Sequence, residues 1–194
     1  PKPYNNGTII EHLSDLAAER GVEFFFSTPG VQLVTDESGA VTGVIGKSGN
    51  ALVYGGSKNG LMGELAESVL KAGGEVTGVE PQFFIDKGYE YDAITRLIVT
   101  RDMTERKAKM IELGDAFIAF PGGTGTLEEI SEVMSKVSLK QLDAPCILYD
   151  LNGYYAGLKA LLAHMIETGL SSAERQQGIY FAESLADIRR ILNI

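Results

Sequence analysis

The chain has 194 residues, with 17 Lys and Arg against 26 Asp and Glu, and a formal net charge of −9. A composition of 44% hydrophobic and 22% charged residues excludes a disordered tract, and the acidic balance excludes general binding of DNA or RNA. One cysteine, Cys146, and two histidines, His12 and His164, allow neither an intrachain disulfide nor a His-rich metal site. No apolar run approaches the ~20 residues of a membrane helix, and no signal peptide is evident, so a soluble globular domain of a reducing, cytoplasmic compartment, without structural zinc, is expected.

The first 48 residues stand apart from the rest. Thr8 to Arg20 predicts a helix and Val22 to Ser27 a strand, and Val31 to Thr35 pairs with Val41 to Ile45 across the hairpin turn Asp36-Glu37-Ser38-Gly39. A helix followed by antiparallel strands is not a βαβ unit. From residue 51 short β-rich runs alternate with amphipathic helices, the pattern of a parallel sheet. Ala51 to Tyr54 is a strand, and the helix after it carries Leu61, Met62, Leu65, Ala66, Val69 and Leu70 on one face. Glu75 to Val79 is a second strand, a less regular stretch runs from Pro81 to Ile94, and Leu97 to Thr100 is a third strand leading to a helix over 104–113.

Ala116 to Phe120 is a fourth strand, followed by a helix whose inner face is Leu127, Ile130, Val133, Met134 and Val137. Cys146 to Tyr149 is a fifth strand, with helices over 154–168 and 184–194 after it. Short apolar strands separated by helices imply a sheet covered on both faces. With right-handed connections this is an α/β, Rossmann-like, doubly wound and mostly parallel sheet. The expected organisation is one domain over residues 1–194, with an atypical N-terminal helix and β-hairpin over 1–48.

Three features carry chemistry. Gly55-Gly56-Ser57-Lys58-Asn59-Gly60 lies between a strand and a helix, where ligands of open parallel sheets bind and where glycines let backbone N–H groups approach a phosphate. The same glycines also suit a plain tight turn, and the residues alone do not choose. Pro121-Gly122-Gly123-Thr124-Gly125-Thr126 repeats the arrangement with three glycines in six positions. That density favours anion binding at the helix start. Thr126 and Glu129 also have capping-box spacing, which is the better local explanation of Glu129. In the helix after the third strand, Arg106 falls with Met103, Met110 and Leu113 on the inward face, and Lys107 at its border. An inward guanidinium needs an anionic partner, either a ligand phosphate or Glu129.

These stretches together, Tyr54 to Gly63, Met103-Thr104-Glu105-Arg106-Lys107 and Pro121-Gly122-Gly123-Thr124-Gly125-Thr126-Leu127-Glu128-Glu129, resemble the LOG family. Its members are cytokinin riboside 5′-monophosphate phosphoribohydrolases, long labelled lysine decarboxylases. The resemblance runs from about Ala51 to the C-terminus, and nothing in these residues suggests a pyridoxal phosphate site. It implies a cofactor-free homodimer that cleaves the N-glycosidic bond of AMP or an N6-modified AMP, releasing free base and ribose 5-phosphate. It also implies that Arg106 and Glu129 are catalytic. Gly122, Gly123, Thr124, Gly125 and Thr126 would hold the phosphate, with Gly56, Ser57, Lys107, Glu128 and Ser135 as further substrate contacts.

Two departures stand out. Thr104 replaces the family's His, and Gly88 occupies the place of a substrate-contacting glutamate, with Glu90 nearby. Residues 9–47 instead resemble a fragment of an FAD-dependent fumarate reductase-type flavoprotein, through Leu16 to Glu23 and Val41 to Ile45. The fragment has no Gly-x-Gly-x-x-Gly and is not expected to bind FAD. A junction near Lys47 to Asn50 follows, with Phe24 to Phe26 or Val41 to Ile45 filling the slot of the missing first strand. Two other readings stand beside the enzyme: a non-catalytic carrier of a nucleotide or molybdenum-cofactor-like ligand, and a recombined chimera of impaired activity.

Overall fold

The computed structural model describes residues 32–35, 41–45 and 51–193. The expected helix over 8–20, the strand over 22–27, the turn over 36–39 and the junction over 47–50 lie outside the described residues. The chain divides after Leu113 into two compact units.

In the first unit β1 (Gln32–Thr35) and β2 (Val41–Ile45) pair antiparallel, from Gln32 opposite Ile45 to Thr35 opposite Val41, with an irregularity between Val34 and Thr35. The hairpin is as expected. Among the described residues its second strand pairs only with the first, in a two-stranded sheet of their own. Val41 to Ile45 therefore does not fill the place of a strand in the parallel sheet. That sheet has the order β3 (Ala51–Tyr54), β4 (Glu75–Pro81), β5 (Arg96–Thr100), all parallel, with Tyr54 beside Gly78 and Gly78 beside Leu97.

Between these strands run α1 (Gly60–Lys71) and the short α2 (Gln82–Ile85); α3 (Met103–Leu113) follows β5. The apolar stripe of α1 faces the sheet through Leu65 and Ala66, which pack with Leu52, Tyr54 and Val76, while Val69, Leu70, Tyr91 and Ile94 close the edges. Met62, expected on that stripe, is exposed.

The second unit repeats the scheme with the parallel order β6 (Phe117–Ala119), β7 (Cys146–Tyr149), β8 (Ile179–Ala182). Its helices are α4 (Thr124–Ser138), α5 (Ala156–Glu167) and α6 (Leu185–Leu192). Central β7 is buried along its whole length, the reason its sequence Cys-Ile-Leu-Tyr shows no alternation. Ile130, Val133, Met134 and Val137 bury the inner face of α4. Leu127, one turn upstream on the same stripe, is exposed, so the buried stripe begins a turn later than the periodicity predicts. Strand β8 adds to the expected elements: Tyr180 on it is exposed, Ile179 and Phe181 are half-buried and Ala182 is buried, the profile of an edge strand.

Parallel strands alternating with helices make the fold α/β and Rossmann-like, as expected. The carboxyl ends of β3 and β4 in the first unit, and of β6 in the second, carry the glycine loops and the charged residues considered next.

Candidate functional site

The first glycine loop leaves β3 at Tyr54 and folds under its own unit. Gly55, Gly56 and Ser57 are buried. A Cβ built on Gly55 would overlap Nη2 of Arg106, and one on Gly56 would stand 3.0 Å from Cβ and 3.1 Å from Oε2 of Glu80. Gly56 also has φ +88°, a conformation that costs little only without a side chain. These glycines are required because two long charged side chains lie directly against the loop backbone. The Ser57 hydroxyl accepts a hydrogen bond from the Asn59 amide at 3.2 Å, and Ser57 bridges antiparallel to Glu90. Tyr91 N donates to Gly56 O at 3.2 Å and Lys58 N to Tyr89 O at 3.1 Å, so the stretch 89–91 straps the loop down.

Arg106 sits in the first turn of α3 and is only 6% exposed, on the inward face that its helical position predicts. Its Nε donates to the carbonyl of Val79 at 2.9 Å, which fixes the guanidinium at the carboxyl end of β4. The start of α3 is organised around it: Asp102 accepts from Glu105 N at 2.8 Å, and Glu105 accepts from Arg101 N at 2.8 Å. Lys107 is half-buried.

Glu80, next to Val79, is 1% exposed. Burial pushes its carboxyl above the usual carboxylate range, Glu90 adds to the rise, and Arg106 and Lys58 oppose it. Among the described residues Oε2 of Glu80, Oε2 of Glu90 and the Tyr54 hydroxyl are buried side-chain atoms without a hydrogen-bond partner. Burial, and after it the charge of Glu80, push the Tyr54 phenol far above its ordinary value. Glu80 is a site residue that no motif in the sequence marks. The available signal was a lone carboxylate in the apolar run Glu75-Val-Thr-Gly-Val-Glu-Pro81.

The second glycine loop is different. Gly123, Thr124 and Gly125 are exposed, Gly122 and Thr126 half-buried, and a Cβ on Gly123 or Gly125 would meet nothing within 4 Å. Gly123 is the N-cap of α4, with no side-chain cap. The free N–H groups of a helix start, with the positive end of its dipole, are a fitting place for an anion. Thr126 is therefore already a helical residue and not the N-cap that the expected capping box with Glu129 requires. Its hydroxyl instead leans over Gly122, where a Cβ would overlap it. Glu129 is half-buried in the second turn and Glu128 exposed.

Two tyrosines hold this loop from the segment after β7. Tyr154 Oη donates to Gly122 O and Tyr155 Oη to Phe120 O, both at 2.5 Å. The Tyr155 amide in turn donates to buried Asp150 at 2.6 Å. These supports were not foreseen; the adjacent pair Tyr154-Tyr155 after the Asn152-Gly153 turn was their only trace in sequence. Ser135 lies on the exposed side of α4, about 14 Å along the helix axis from Thr126, and this unit alone does not bring it to the loop.

Within the first unit, then, Arg106 lies against Gly55, and Glu80 against Gly56, in the loop that Ser57 continues; within the second, Gly122 to Thr126, Glu128 and Glu129 lie along one helix start. Among the described residues no three His, Cys, Asp or Glu side chains could jointly hold a metal ion. None of their helices is long and apolar enough to cross a membrane.

Comparison with known proteins adds to this geometry. Residues 62–192 match the family model described as possible lysine decarboxylase. The chain is 44% identical over 137 residues to a cytokinin riboside 5′-monophosphate phosphoribohydrolase of Rhodococcoides fascians, covering 70% of this chain and 69% of that protein. It is 42% identical over 118 residues to one of Arabidopsis thaliana, covering 61% of this chain and 52% of the relative; the chain thus spans about half to two thirds of these relatives' length. A solved structure of the molybdenum cofactor binding protein from Rippkaea orientalis shares the fold, with TM-score 0.51 and 21% identity over 74% of this chain and 76% of that one.

Proposed function

Because the chain belongs to the family of cytokinin riboside 5′-monophosphate phosphoribohydrolases, whose model is described as possible lysine decarboxylase, we propose that it hydrolyses the N-glycosidic bond of AMP or an N6-modified AMP. The bond between C1′ and the base nitrogen breaks, the oxygen of water bonds to C1′, and a proton of that water ends on the base. The products are free base and ribose 5-phosphate. The observation that carries this reading is the buried guanidinium of Arg106, anchored on Val79 at the carboxyl end of β4, where open α/β sheets bind ligands.

In this reading the exposed amides from Gly122 to Thr126 hold the phosphate, with help from Lys107, and Gly56, Ser57, Glu128 and Ser135 contact the remainder. Positive charge grows at the anomeric carbon as the base leaves, and the carboxylate of Glu129 stabilises it. Arg106 anchors the substrate and keeps nearby carboxylate ionised. None of these steps calls on a cofactor.

We propose further that residues 1–194 make a single Rossmann-like domain, supported by a family match running through both units, and that the protein works as a cytoplasmic homodimer. The fragment over 1–47 has the character of a flavoprotein piece joined to a hydrolase, and a chimeric chain of reduced turnover follows from it. The test is release of adenine from AMP, followed by chromatography, beside Arg106→Ala and Glu129→Gln. Free adenine that disappears in both variants supports the hydrolase. Tight AMP binding without release favours the carrier, and carbon dioxide formed from lysine would favour the decarboxylase description.

A further inference from the structure

The segment after β7 spends two tyrosine hydroxyls on one loop. Tyr154 reaches the Gly122 carbonyl and Tyr155 the Phe120 carbonyl, and their rings meet edge to face with centroids 5.1 Å apart. The pair is rooted in the sheet of its own unit. Asp150, which accepts from the Tyr155 amide, donates its own amide to Ala182 O on β8 at 2.7 Å. Asn152 and Gly153, at φ +54° and +75°, turn the chain between Asp150 and the tyrosines. Burial divides the pair: Tyr155 is 6% exposed and Tyr154 53%, so the Tyr154 ring adds little to the core.

The two hydrogen bonds also differ in what they control. A peptide unit is planar, and in its trans form the carbonyl and the N–H of the next residue point in opposite directions. The Phe120 carbonyl is followed by Pro121, which has no N–H. Tyr155 therefore fixes where the chain runs but aims no donor. The Gly122 carbonyl is followed by Gly123, the exposed N-cap of α4. Turning that carbonyl toward Tyr154 turns the Gly123 N–H the opposite way. Neither glycine has a side chain to restrict this peptide, so an outside donor is needed to hold it.

We propose that Tyr154 is a positioning residue for anion binding: its hydroxyl fixes the Gly122–Gly123 peptide with the Gly123 N–H directed at the phosphate of a bound nucleotide. This rests on the reading above in which the amides from Gly122 to Thr126 hold that phosphate. A peptide held in place beforehand gives up no rotation when the ligand arrives, and its hydrogen bond to a charged phosphate is of the stronger kind.

The test compares wild type, Tyr154→Phe and Tyr155→Phe, each variant losing one hydroxyl and keeping its ring. AMP affinity is measured by titration calorimetry, adenine release by chromatography, Tm by thermal unfolding, and the Gly123 amide by 15N NMR during addition of AMP. Tyr154→Phe is expected to bind AMP about tenfold more weakly, the size of one hydrogen bond to a charged group. Its KM rises by the same factor with kcat nearly unchanged, and its Tm stays close to that of the wild type. Tyr155→Phe is expected to lose about 2–4 °C in Tm and less AMP affinity than Tyr154→Phe. The Gly123 amide proton moves downfield with AMP in the wild type and less far in Tyr154→Phe at saturation. Equal AMP affinity in wild type and Tyr154→Phe overturns the proposal, as does a wild-type Gly123 amide that ignores AMP. So does a Tyr154→Phe protein that fails to fold, because the residue is then a stability element. A wild type that binds AMP as expected and releases no adenine overturns the hydrolase reading and leaves this inference standing. Adenine release with equal KM in wild type and Tyr154→Phe does the reverse.

Discussion

Two glycine loops, each following a strand and preceding a helix, look alike in sequence and are opposite in structure. At Gly55 and Gly56 the missing side chains make room for the protein's own Arg106 and Glu80. At Gly123 and Gly125 an added Cβ meets nothing, and the backbone faces outward at the head of α4. Gly55 and Gly56 are needed because of what lies beneath them, whereas no packing contact accounts for Gly123 and Gly125. A motif that reads as a phosphate cradle is thus a demand for backbone access, and only packing says whether a ligand or an internal side chain makes that demand.

The contrast can be broken most sharply at the two catalytic candidates. Glu129→Gln is expected to lower adenine release from AMP by on the order of a thousandfold or more and, as a substitution of nearly equal shape at a half-buried position, to shift the urea midpoint less than the truncation of a buried side chain. Arg106→Ala is expected to cost comparable activity and also about 1–3 kcal/mol of stability, since the Val79 carbonyl loses its buried donor. Equal urea midpoints for the two variants would erase the distinction between the regions.

The glycines sharpen it. Gly56→Ala is expected to destabilise by about 1–3 kcal/mol, through its positive φ and its contact with Glu80, as read by denaturant unfolding. Gly125→Ala is expected to stabilise by about 0.5–1 kcal/mol, the helix-propensity gain of an exposed first-turn position, yet to weaken AMP binding. A Gly125→Ala protein with unaltered AMP affinity would remove the second loop from phosphate binding.

The smallest effect concerns pH. Glu80 has a raised folded value against an ordinary unfolded one, so its favourable contribution is full below the unfolded value and is lost as pH rises through the folded one. Glu80→Gln should therefore raise Tm relative to the wild type near neutrality, with the gap closing on acidification. A gap that widens in acid would contradict the burial of an acid at this position.

Much of this was legible in the chain. The strand-and-helix alternation after residue 51 followed from apolar runs and their periods, and the helical wheel of α3 was enough to send Arg106 inward. The sequence could also pair Gln32–Thr35 with Val41–Ile45, since a turn and two β-rich runs are local information. Edge strand β8 escaped although Ile179-Tyr180-Phe181-Ala182 is an apolar, β-prone run, because four such residues do not separate a strand from a buried helix segment by periodicity, and Thr126 is no helix cap because α4 already begins at Thr124, with Gly123 as its N-cap.

By itself, then, the sequence determined the α/β class, the family and the order of the chemical motifs, all of which are written in spacing and residue type along one dimension. Tertiary structure alone decided which glycines serve packing and which stand open, and that a carboxyl at position 80 lies buried against Gly56. Those outcomes depend on side chains from β4 and α3 meeting a loop more than twenty residues away, and no local pattern records such a meeting.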